Sequence, residues 1–336
     1  MLTVILRERI NMKYQEWHQP ALELHQSGLS GRKIAKQLGM PKSTVNDMLK
    51  EYREGTLELS EPEKKEVRYL YWDLENSFMQ GYFFDIWQVN IPISQVTKHS
   101  HLLTAAWAVN DDEPQGIRIT PEDVKTGNDL EVVIKLIEAI NNCDVIVTFN
   151  GKRFDVKKLN TRALFWGLPP CVMPRHIDLM QDAKRLFSFP SNSMQNVSQY
   201  LGLDGKIATG GSRLWQRCAE YENYDACDSA LQEMLTYNLQ DINATRDLHK
   251  RFMGWSKNTP NIATITKQVQ GRDLKEDTEL LCVHCGSNDV YKIMVDGVAK
   301  KGYTAVSSFD LYRCGESDCR GVSRVNASGK ALVNYI

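Results

Sequence analysis

Apolar residues in the middle of the chain form short strand-like runs that are separated by helical stretches. The runs VRYLYWDLE, FFDIWQV and HLLTAAWAV come first and predict three strands. DVIVTFN is a short apolar run rich in β-branched residues, which favours a buried strand, and HIDLM predicts one more.

Helical spacing separates these later strands. DLEVVIKLIEAINN repeats apolar residues at Leu130, Val133, Ile137 and Ile140, which predicts an amphipathic helix. Further helices are predicted over about 153–165 and over 226–252, a stretch without proline or glycine. The order is three strands, then helix–strand–helix–strand, then helices. We therefore expect an α/β fold with a mixed sheet and helices on its faces.

The two ends of the chain have other patterns. Residues 20–55 predict short helices, and residues 280–330 hold two cysteine pairs among strand-like runs. Polar stretches join both ends to the middle and are typical of linkers. The sequence thus predicts a helix-turn-helix domain over 1–55, a linker over 56–66, the α/β domain over 67–255, a linker over 256–280 and a small β domain over 281–336.

Composition excludes some modes of action. The 336 residues are 42% apolar and carry a net charge of −1, so nucleic-acid binding would need local basic patches or metal ions. The opening run MLTVIL is too short for a signal peptide, and no segment approaches the length of a transmembrane helix. We expect a cytoplasmic protein without a membrane partner, in which the eight cysteines stay reduced.

Candidate catalytic residues lie at the ends of predicted elements. Asp73 and Glu75 are two residues apart on the first strand, so they point to one face. Asp155 follows a buried strand, and Tyr237 and Asp241 share a face of the last helix. Each acid alone is better explained as a solvated surface residue. Together they predict a cluster that divalent cations neutralise, which is typical of phosphate chemistry.

The order D-x-E, N-x4-D and Y-x3-D resembles the three exonuclease motifs of the DnaQ-like, DEDD-type 3′–5′ exonucleases. The tyrosine is similar to that of the DEDDy subclass, and the resemblance extends over about residues 67–253. It implies a ribonuclease H-like fold that hydrolyses phosphodiester bonds at the 3′ end of nucleic acid.

The resemblance also implies a site for two Mg²⁺ or Mn²⁺ ions. Asp73 would bridge both ions, and Glu75 and Asp241 would hold the ion that carries the attacking water. Asp155 would act with the second ion. Tyr237 would orient the water, because a phenol with a pKa near ~10 is a poor base.

Residues beside Asp155 are less specific. Lys152 and Arg153 are candidates for contact with a substrate phosphate, and a solvated pair explains them equally well. Phe154 is predicted to be a core residue rather than a base-stacking one. We expect His176 to be structural and rank Asp178 below the four acids as a metal ligand.

The N-terminal helices contain a turn pattern. Ala35, Gly39 and Val45 occupy small, turn and core positions, Ser30 is predicted to cap the second helix, and Pro41 to lie in the first turn of the third. The pattern resembles the helix-turn-helix of resolvases and transposases. A small bundle for protein contacts is the alternative, and a local excess of basic residues favours DNA. The residues predicted to face nucleic acid are Lys42, Ser43, Thr44 and Asn46.

Two cysteine pairs near the C-terminus, C-x2-C and C-x4-C, predict a ribbon around one structural Zn²⁺. Gly286 and Gly315 are expected at positive φ in its turns. Reduced structural cysteines are the alternative, and neighbouring basic and aromatic residues, Arg313 and Arg320 among them, fit either nucleic-acid binding or protein docking. The predicted ligands are Cys282, Cys285, Cys314 and Cys319.

Three functions remain open. The first is a 3′–5′ exonuclease that acts on nucleic acid, with DNA favoured over RNA. The second is a transposase or integrase, and the third is a non-catalytic DNA-binding protein with a nuclease-like core. A polymerase or a replication or repair protein acting in trans is a further candidate partner.

Overall fold

The computed structural model describes residues 17–54, 65–84, 90–203, 211–256, 259–304, 306–326, 329 and 331–335. The chain forms two compact units, Met1–Glu66 and Val67–Ile336. The α/β domain and the cysteine-rich segment therefore belong to one unit. The predicted linker over 56–66 lies almost wholly outside the described residues.

The first unit contains three helices in its described part: α1 (His18–Gln26), α2 (Gly31–Leu38) and α3 (Lys42–Arg53). Gly39 ends α2 at a φ of +67°, as the turn between α2 and α3 requires. The apolar faces of the helices meet in a core with partly buried Leu38 at its margin. The buried residues of this core include Leu22, Ile34, Val45 and Leu49.

Two details at the helix starts differ from prediction. Ser30 occupies the N-cap position of α2, but its side chain makes no capping hydrogen bond. Pro41 is itself the N-cap of α3, in extended conformation, rather than part of the first turn. Both helices are thus stabilised mainly by their buried faces.

The second unit is built on a mixed sheet, as predicted. Its described strands are β1 (Tyr69–Asn76), β4 (Leu102–Val109), β5 (Gln115–Arg118), β6 (Val145–Thr148) and β7 (Arg175–Asp178), and a short hairpin of β2 (Gln80–Gly81) and β3 (Val96–Lys98) follows β1. The order is β5-β4-β1-β6-β7. The pairs β5–β4 and β4–β1 are antiparallel, whereas β1–β6 and β6–β7 are parallel.

One predicted strand falls mostly outside the described residues. In FFDIWQV, Phe83 and Phe84 lie in no strand, and residues 85–89 fall outside the described part. The third strand of the antiparallel half is β5, which was not predicted. Its four residues, QGIR, lack the apolar alternation that marks a strand.

Helices cover both faces of the sheet. The described ones are α4 (Pro121–Thr126), α5 (Leu130–Asn141), α6 (Asp155–Phe165), α7 (Leu179–Leu186), α8 (Met194–Tyr200), α9 (Arg213–Ala219), α10 (Tyr224–Phe252) and α11 (Ile262–Val269). Neighbouring strand residues alternate between two core clusters: Leu70, Trp72 and Leu74 enter one, and Tyr71 enters the other. In the described residues, no helix is both long and apolar enough to cross a membrane.

The structure corrects the predicted linker over 256–280. Helix α11 lies there, and its Ile262 is fully buried in the core shared with the sheet. Ion pairs hold the polar residues after α11 against its end. Lys267 on α11 lies 3.2 Å from Asp277, and Arg272 pairs with Asp277 and Glu279.

In its described residues, the cysteine ribbon (residues 281–335) forms one five-stranded and one two-stranded antiparallel sheet. Its strands are β8 (Val290–Lys292), β9 (Met294–Val295), β10 (Val298–Ala299), β11 (Lys301–Tyr303), β12 (Ser308–Cys314), β13 (Val322–Val325) and β14 (Leu332–Asn334). The ribbon lies directly against the end of α10. A Cβ atom on Gly254 would be 1.8 Å from the carbonyl oxygen of Cys319, so only glycine permits this contact.

Candidate active site

Strand β1 presents two acids on one side of the sheet. Leu70, Trp72 and Leu74 pack into the first core cluster, so Asp73 and Glu75 point to the opposite face. Asp73 is paired in register with Ala106 and Glu75 with Thr104, and a register shift follows between Glu75 and Asn76. The two carboxylates thus lie where regular pairing of the strand ends.

Helix α10 brings a third acid to this face. Tyr237 and Asp241 are one turn apart and nearly buried, with exposed fractions of 6% and 1%. Carboxylate oxygens of Asp73, Glu75 and Asp241 all lie within 4.8 Å of one another. The structure therefore joins three of the four predicted acids, from two distant segments, into one tight cluster.

Asn238 orients the carboxylate of Asp73 in this cluster. Its side-chain nitrogen donates a hydrogen bond of 2.7 Å to Oδ2 of Asp73, and its oxygen accepts one of 3.0 Å from Oγ1 of Thr104. Asn238 is fully buried. Asn238 was not among the predicted site residues, although a polar side chain between the two motif residues of a packed helix was a usable signal.

Asp155 lies outside the tight cluster, as the buried first residue of α6. The loop before it has a fixed shape. Asn150 adopts a φ of +73°, and a Cβ atom on Gly151 would be 2.5 Å from Oγ1 of Thr148. That hydroxyl accepts a hydrogen bond of 3.1 Å from the Gly151 N–H. The turn therefore needs glycine at this position.

Asp178 stabilises the loop that precedes Asp155. Its carboxylate accepts backbone hydrogen bonds from Asn150 at 2.9 Å and Lys152 at 3.1 Å, and caps α7 through Met180. Asp178 is buried, with 4% of its surface exposed. These three backbone bonds give Asp178 a structural role, and through the loop they fix the position of Asp155.

His176 is structural, as predicted. Its Nε2 shares a hydrogen bond of 2.8 Å with Oγ1 of Thr148. Burial, and to a smaller extent the charge of Lys152, lowers the pKa of His176 to about 3. The ring is therefore neutral at physiological pH.

The prediction for Phe154 is wrong. Its ring is 51% exposed rather than in the core, because it lies in the turn that precedes α6. The guanidinium of Arg153 lies 5.4 Å from the centre of this ring. Arg153 is exposed and Lys152 is half-buried, so both basic residues can be reached from solvent.

Four sulfur atoms meet in the cysteine ribbon. Those of Cys282, Cys285, Cys314 and Cys319 lie within 4.8 Å of one another, and His284 does not belong to the group. Gly286 has the expected positive φ of +80°, but Gly315 does not. A Cβ at position 315 would instead be 1.9 Å from the carboxylate of Asp289, so a larger residue there would require that side chain to move. The positive φ after the last cysteine belongs to Arg320.

The start of α3 is exposed in the first unit. Lys42, Ser43 and Asn46 are exposed and Thr44 is half-buried, while Val45 between them is fully buried. The four predicted contact residues thus lie on the side of α3 that its own core leaves free.

Comparison with known proteins agrees with this fold. The family model of the RNase H superfamily matches residues 83–253, just over half of the chain. The chain belongs to the RNase H superfamily. A second model, described as a homeodomain-like domain, matches residues 13–59, which include all three helices of the first unit.

Among solved structures, the chain is similar to the family B DNA polymerase from the hyperthermophilic archaeon Pyrobaculum calidifontis. Sequence identity is 18% and the TM-score is 0.41. The match covers 63% of this chain and 28% of the polymerase chain. No curated protein sequence matches the chain.

Membership of the RNase H superfamily gives the acidic cluster a chemical context. Nucleases with this fold commonly use divalent metal ions, and the chain combines such a fold with a homeodomain-like domain. A nuclease or transposase-like activity on nucleic acid is consistent with that combination.

Proposed function

We propose that this protein is a metal-dependent 3′–5′ exonuclease of the DnaQ-like DEDDy type, with DNA as its main substrate. The observation that carries the proposal is the cluster of Asp73, Glu75 and Asp241, with Tyr237 one turn away on α10. A D-x-E pair on the central strand and Y-x3-D on the long helix is the arrangement that the exonuclease motifs imply.

The residues fit hard divalent cations. The donors are carboxylate oxygens, the ligands that Mg²⁺ and Mn²⁺ prefer. Three carboxylates within 4.8 Å repel one another in a partly buried place, which favours a bound cation. Asp73, Glu75 and Asp241 would hold one ion, and Asp155 with Asp73 a second. When bound, such ions stabilise the attacking and leaving oxygens of an in-line displacement.

The side chains of the protein position this reaction. Asn238 fixes one oxygen of Asp73 by a direct hydrogen bond. Tyr237 would orient the attacking water. Lys152 and Arg153 would contact the phosphate next to the scissile bond, in a loop that Asp178 holds in place.

The flanking parts support nucleic acid as substrate. We propose that the helix-turn-helix domain (residues 1–55) binds duplex DNA through Lys42, Ser43, Thr44 and Asn46. The four cysteines of the ribbon would hold one Zn²⁺, since four thiolates at this spacing are typical of structural zinc sites. A polymerase or repair protein could then act with the enzyme in trans.

The transposase or integrase hypothesis is the second candidate, and the homeodomain-like match favours it. Such enzymes usually need one aspartate on the first strand and a late glutamate. Here the first strand carries two acids and the last helix carries Tyr237 and Asp241, which favours the exonuclease. Strand-transfer products from a labelled duplex would reverse this preference.

The experiment that tests the proposal uses single-stranded DNA and RNA labelled at either end, with Mg²⁺, with Mn²⁺ and without either. A 3′–5′ exonuclease releases a 3′ label at once as a mononucleotide, and shortens a 5′-labelled strand stepwise. Release of a 5′ label first, or internal cuts only, would refute the proposed direction. Binding to DNA without hydrolysis would support the non-catalytic alternative.

A further inference from the structure

A groove of about 860 Å³ lies between the end of α10 and the cysteine ribbon. We call it the junction groove and define it by Lys250, Arg251, Trp255, Arg313, Arg320 and Tyr335. The contact of Gly254 with the backbone of Cys319 joins its two walls, because any larger residue would separate them. The shape of the groove therefore depends on this close contact within the second unit.

The groove is basic although the chain as a whole has a net charge of −1. Lys250 and Arg251 lie on the helix wall, and Arg313 and Arg320 on the ribbon wall. Two acids, Asp247 and Asp318, also line it, so cations outnumber acids by four to two. A concave surface lined mainly by one sign of charge attracts ligands of the opposite sign.

The positions of these cations are partly fixed. Lys250 forms an ion pair of 2.6 Å with Asp111, and Arg313 donates a hydrogen bond of 3.2 Å to the carbonyl of Arg320. Arg251 and Arg320 are exposed. Some guanidinium donors of the groove thus remain directed to solvent, where they can meet phosphate oxygens.

Two aromatic rings line the groove. Trp255 is 65% exposed and its ring is held edge-on against Phe187, with centroids 5.7 Å apart. Tyr335 is 38% exposed and packs edge-on against Phe309 at 6.1 Å. Rings that are supported at one edge and open at a face are suitable platforms for stacked bases.

The groove is distinct from the carboxylate cluster. Asp241 precedes Arg251 by ten residues on α10, which corresponds to about 15 Å along a helix axis. Asn238 contacts Asp73, whereas His249 contacts Tyr71, nearer the start of the same strand. The groove thus lies toward the other end of the sheet from the catalytic acids.

We propose that the junction groove binds a single-stranded segment of DNA, with phosphates on Arg251 and Arg320 and a base stacked on Trp255. The inference rests on the proposed function in one respect, namely that the bound strand is substrate. It adds a second binding site that holds the strand away from the site of hydrolysis.

Binding can be tested without hydrolysis. The full chain with Asp73→Asn is titrated with fluorescent oligothymidylate, which forms no duplex, and no divalent metal is added. We expect Arg251→Glu and Trp255→Ala each to weaken binding about tenfold in this background. The slope of log K against log salt should fall by about 0.7 for each phosphate that Arg251→Glu no longer neutralises. Circular dichroism verifies the fold of each variant.

The matched control is Lys135→Glu, which reverses the charge of an exposed lysine on α5 outside the groove and should leave the affinity unchanged. Unchanged affinity in both groove variants would overturn the proposal. The proposal would also be overturned if polyglutamate competed as well as unlabelled oligothymidylate, because that would indicate an acidic protein partner instead. If the wild-type protein hydrolyses no nucleic acid but the groove variants lose binding, only the proposed function fails.

Discussion

Asn238 and Asp73 are joined by a hydrogen bond of 2.7 Å between the long helix and the central strand. The amide of Asn238 is in turn held by Thr104 on the neighbouring strand. A buried amide that is satisfied on both sides has one orientation, and it fixes the orientation of the carboxylate as well. The candidate metal ligand thus has a second layer of support.

Asn238→Ala should therefore impair metal use more than DNA binding. We expect about a 10- to 100-fold loss in activity or in affinity for Mg²⁺, because removing a residue that supports a metal ligand typically has this effect. Titration of activity with Mg²⁺ measures the change, while the KM for DNA should stay within about twofold. Thr104→Val, which removes the more distant hydrogen bond, is the control and should have a smaller effect. An unaltered Mg²⁺ titration for Asn238→Ala would contradict the positioning role.

Asp178→Ala should reduce stability as well as activity. The substitution removes the acceptor of three backbone hydrogen bonds, two of them in the loop before Asp155. We expect a loss of roughly 2–4 kcal/mol in the free energy of unfolding, measured by urea denaturation. Asp178→Asn keeps one acceptor oxygen and should lose less. If the alanine variant is fully stable but needs more Mg²⁺, Asp178 is a metal ligand instead.

Phe154→Ala tests whether the exposed ring next to Asp155 contacts substrate. A base stacked on this ring would lose its platform, so we expect the KM for single-stranded DNA to rise about tenfold. Because the ring is half exposed, the melting temperature should hardly change. Phe165→Ala is a matched control, since Phe165 is 65% exposed at the other end of α6. Equal KM values for the two variants would place Phe154 outside the substrate path.

His249 should make stability depend on pH. Burial lowers the pKa of His249 to about 4, below the usual value near 6.5 of the unfolded chain. Below pH ~6.5, His249 therefore binds a proton in the unfolded state but stays neutral in the folded state. As a result, the free energy of unfolding falls as the pH drops toward 4. His249 alone should cost about 2 kcal/mol at pH 5 relative to pH 7. His176 acts in the same direction.

Urea denaturation at both pH values measures this loss. The comparison with His249→Gln isolates the histidine, because glutamine can keep a hydrogen bond to Tyr71 but does not titrate. The variant should lose less stability between pH 7 and pH 5 than the wild type. An equal loss in both proteins would show that His249 is not the group responsible.

The sequence was most informative about the site where two motif residues lie on the same strand or the same helix, because the period of that element shows whether they share a face. The alternation around Asp73 placed two acids on one face of a strand, and the spacing of Tyr237 and Asp241 placed them on one side of a helix. Order along the chain then predicted that these acids lie together, and three of them do lie within 4.8 Å of one another.

Contacts between distant segments could not be predicted in this way. The roles of Asn238 and Asp178 depend on partners that lie 165 and 28 residues away. The exposure of Phe154 depends on the turn before α6, and β5 is a strand because β4 offers an edge rather than because of its own sequence. Helix α11 was missed because five of its eight residues are β-branched and favour a helix only weakly, and tertiary packing on the sheet decides its state.

The most direct test of the central claim is release of a 3′ label from single-stranded DNA by wild type and Asp73→Ala, each with and without added Mg²⁺. A chelator is avoided, since it could also remove a metal from the cysteine ribbon. We expect Mg²⁺-dependent release of mononucleotides by the wild type, and about a thousandfold slower release by Asp73→Ala. Full activity of Asp73→Ala, or activity of the wild type that needs no divalent metal, would contradict it.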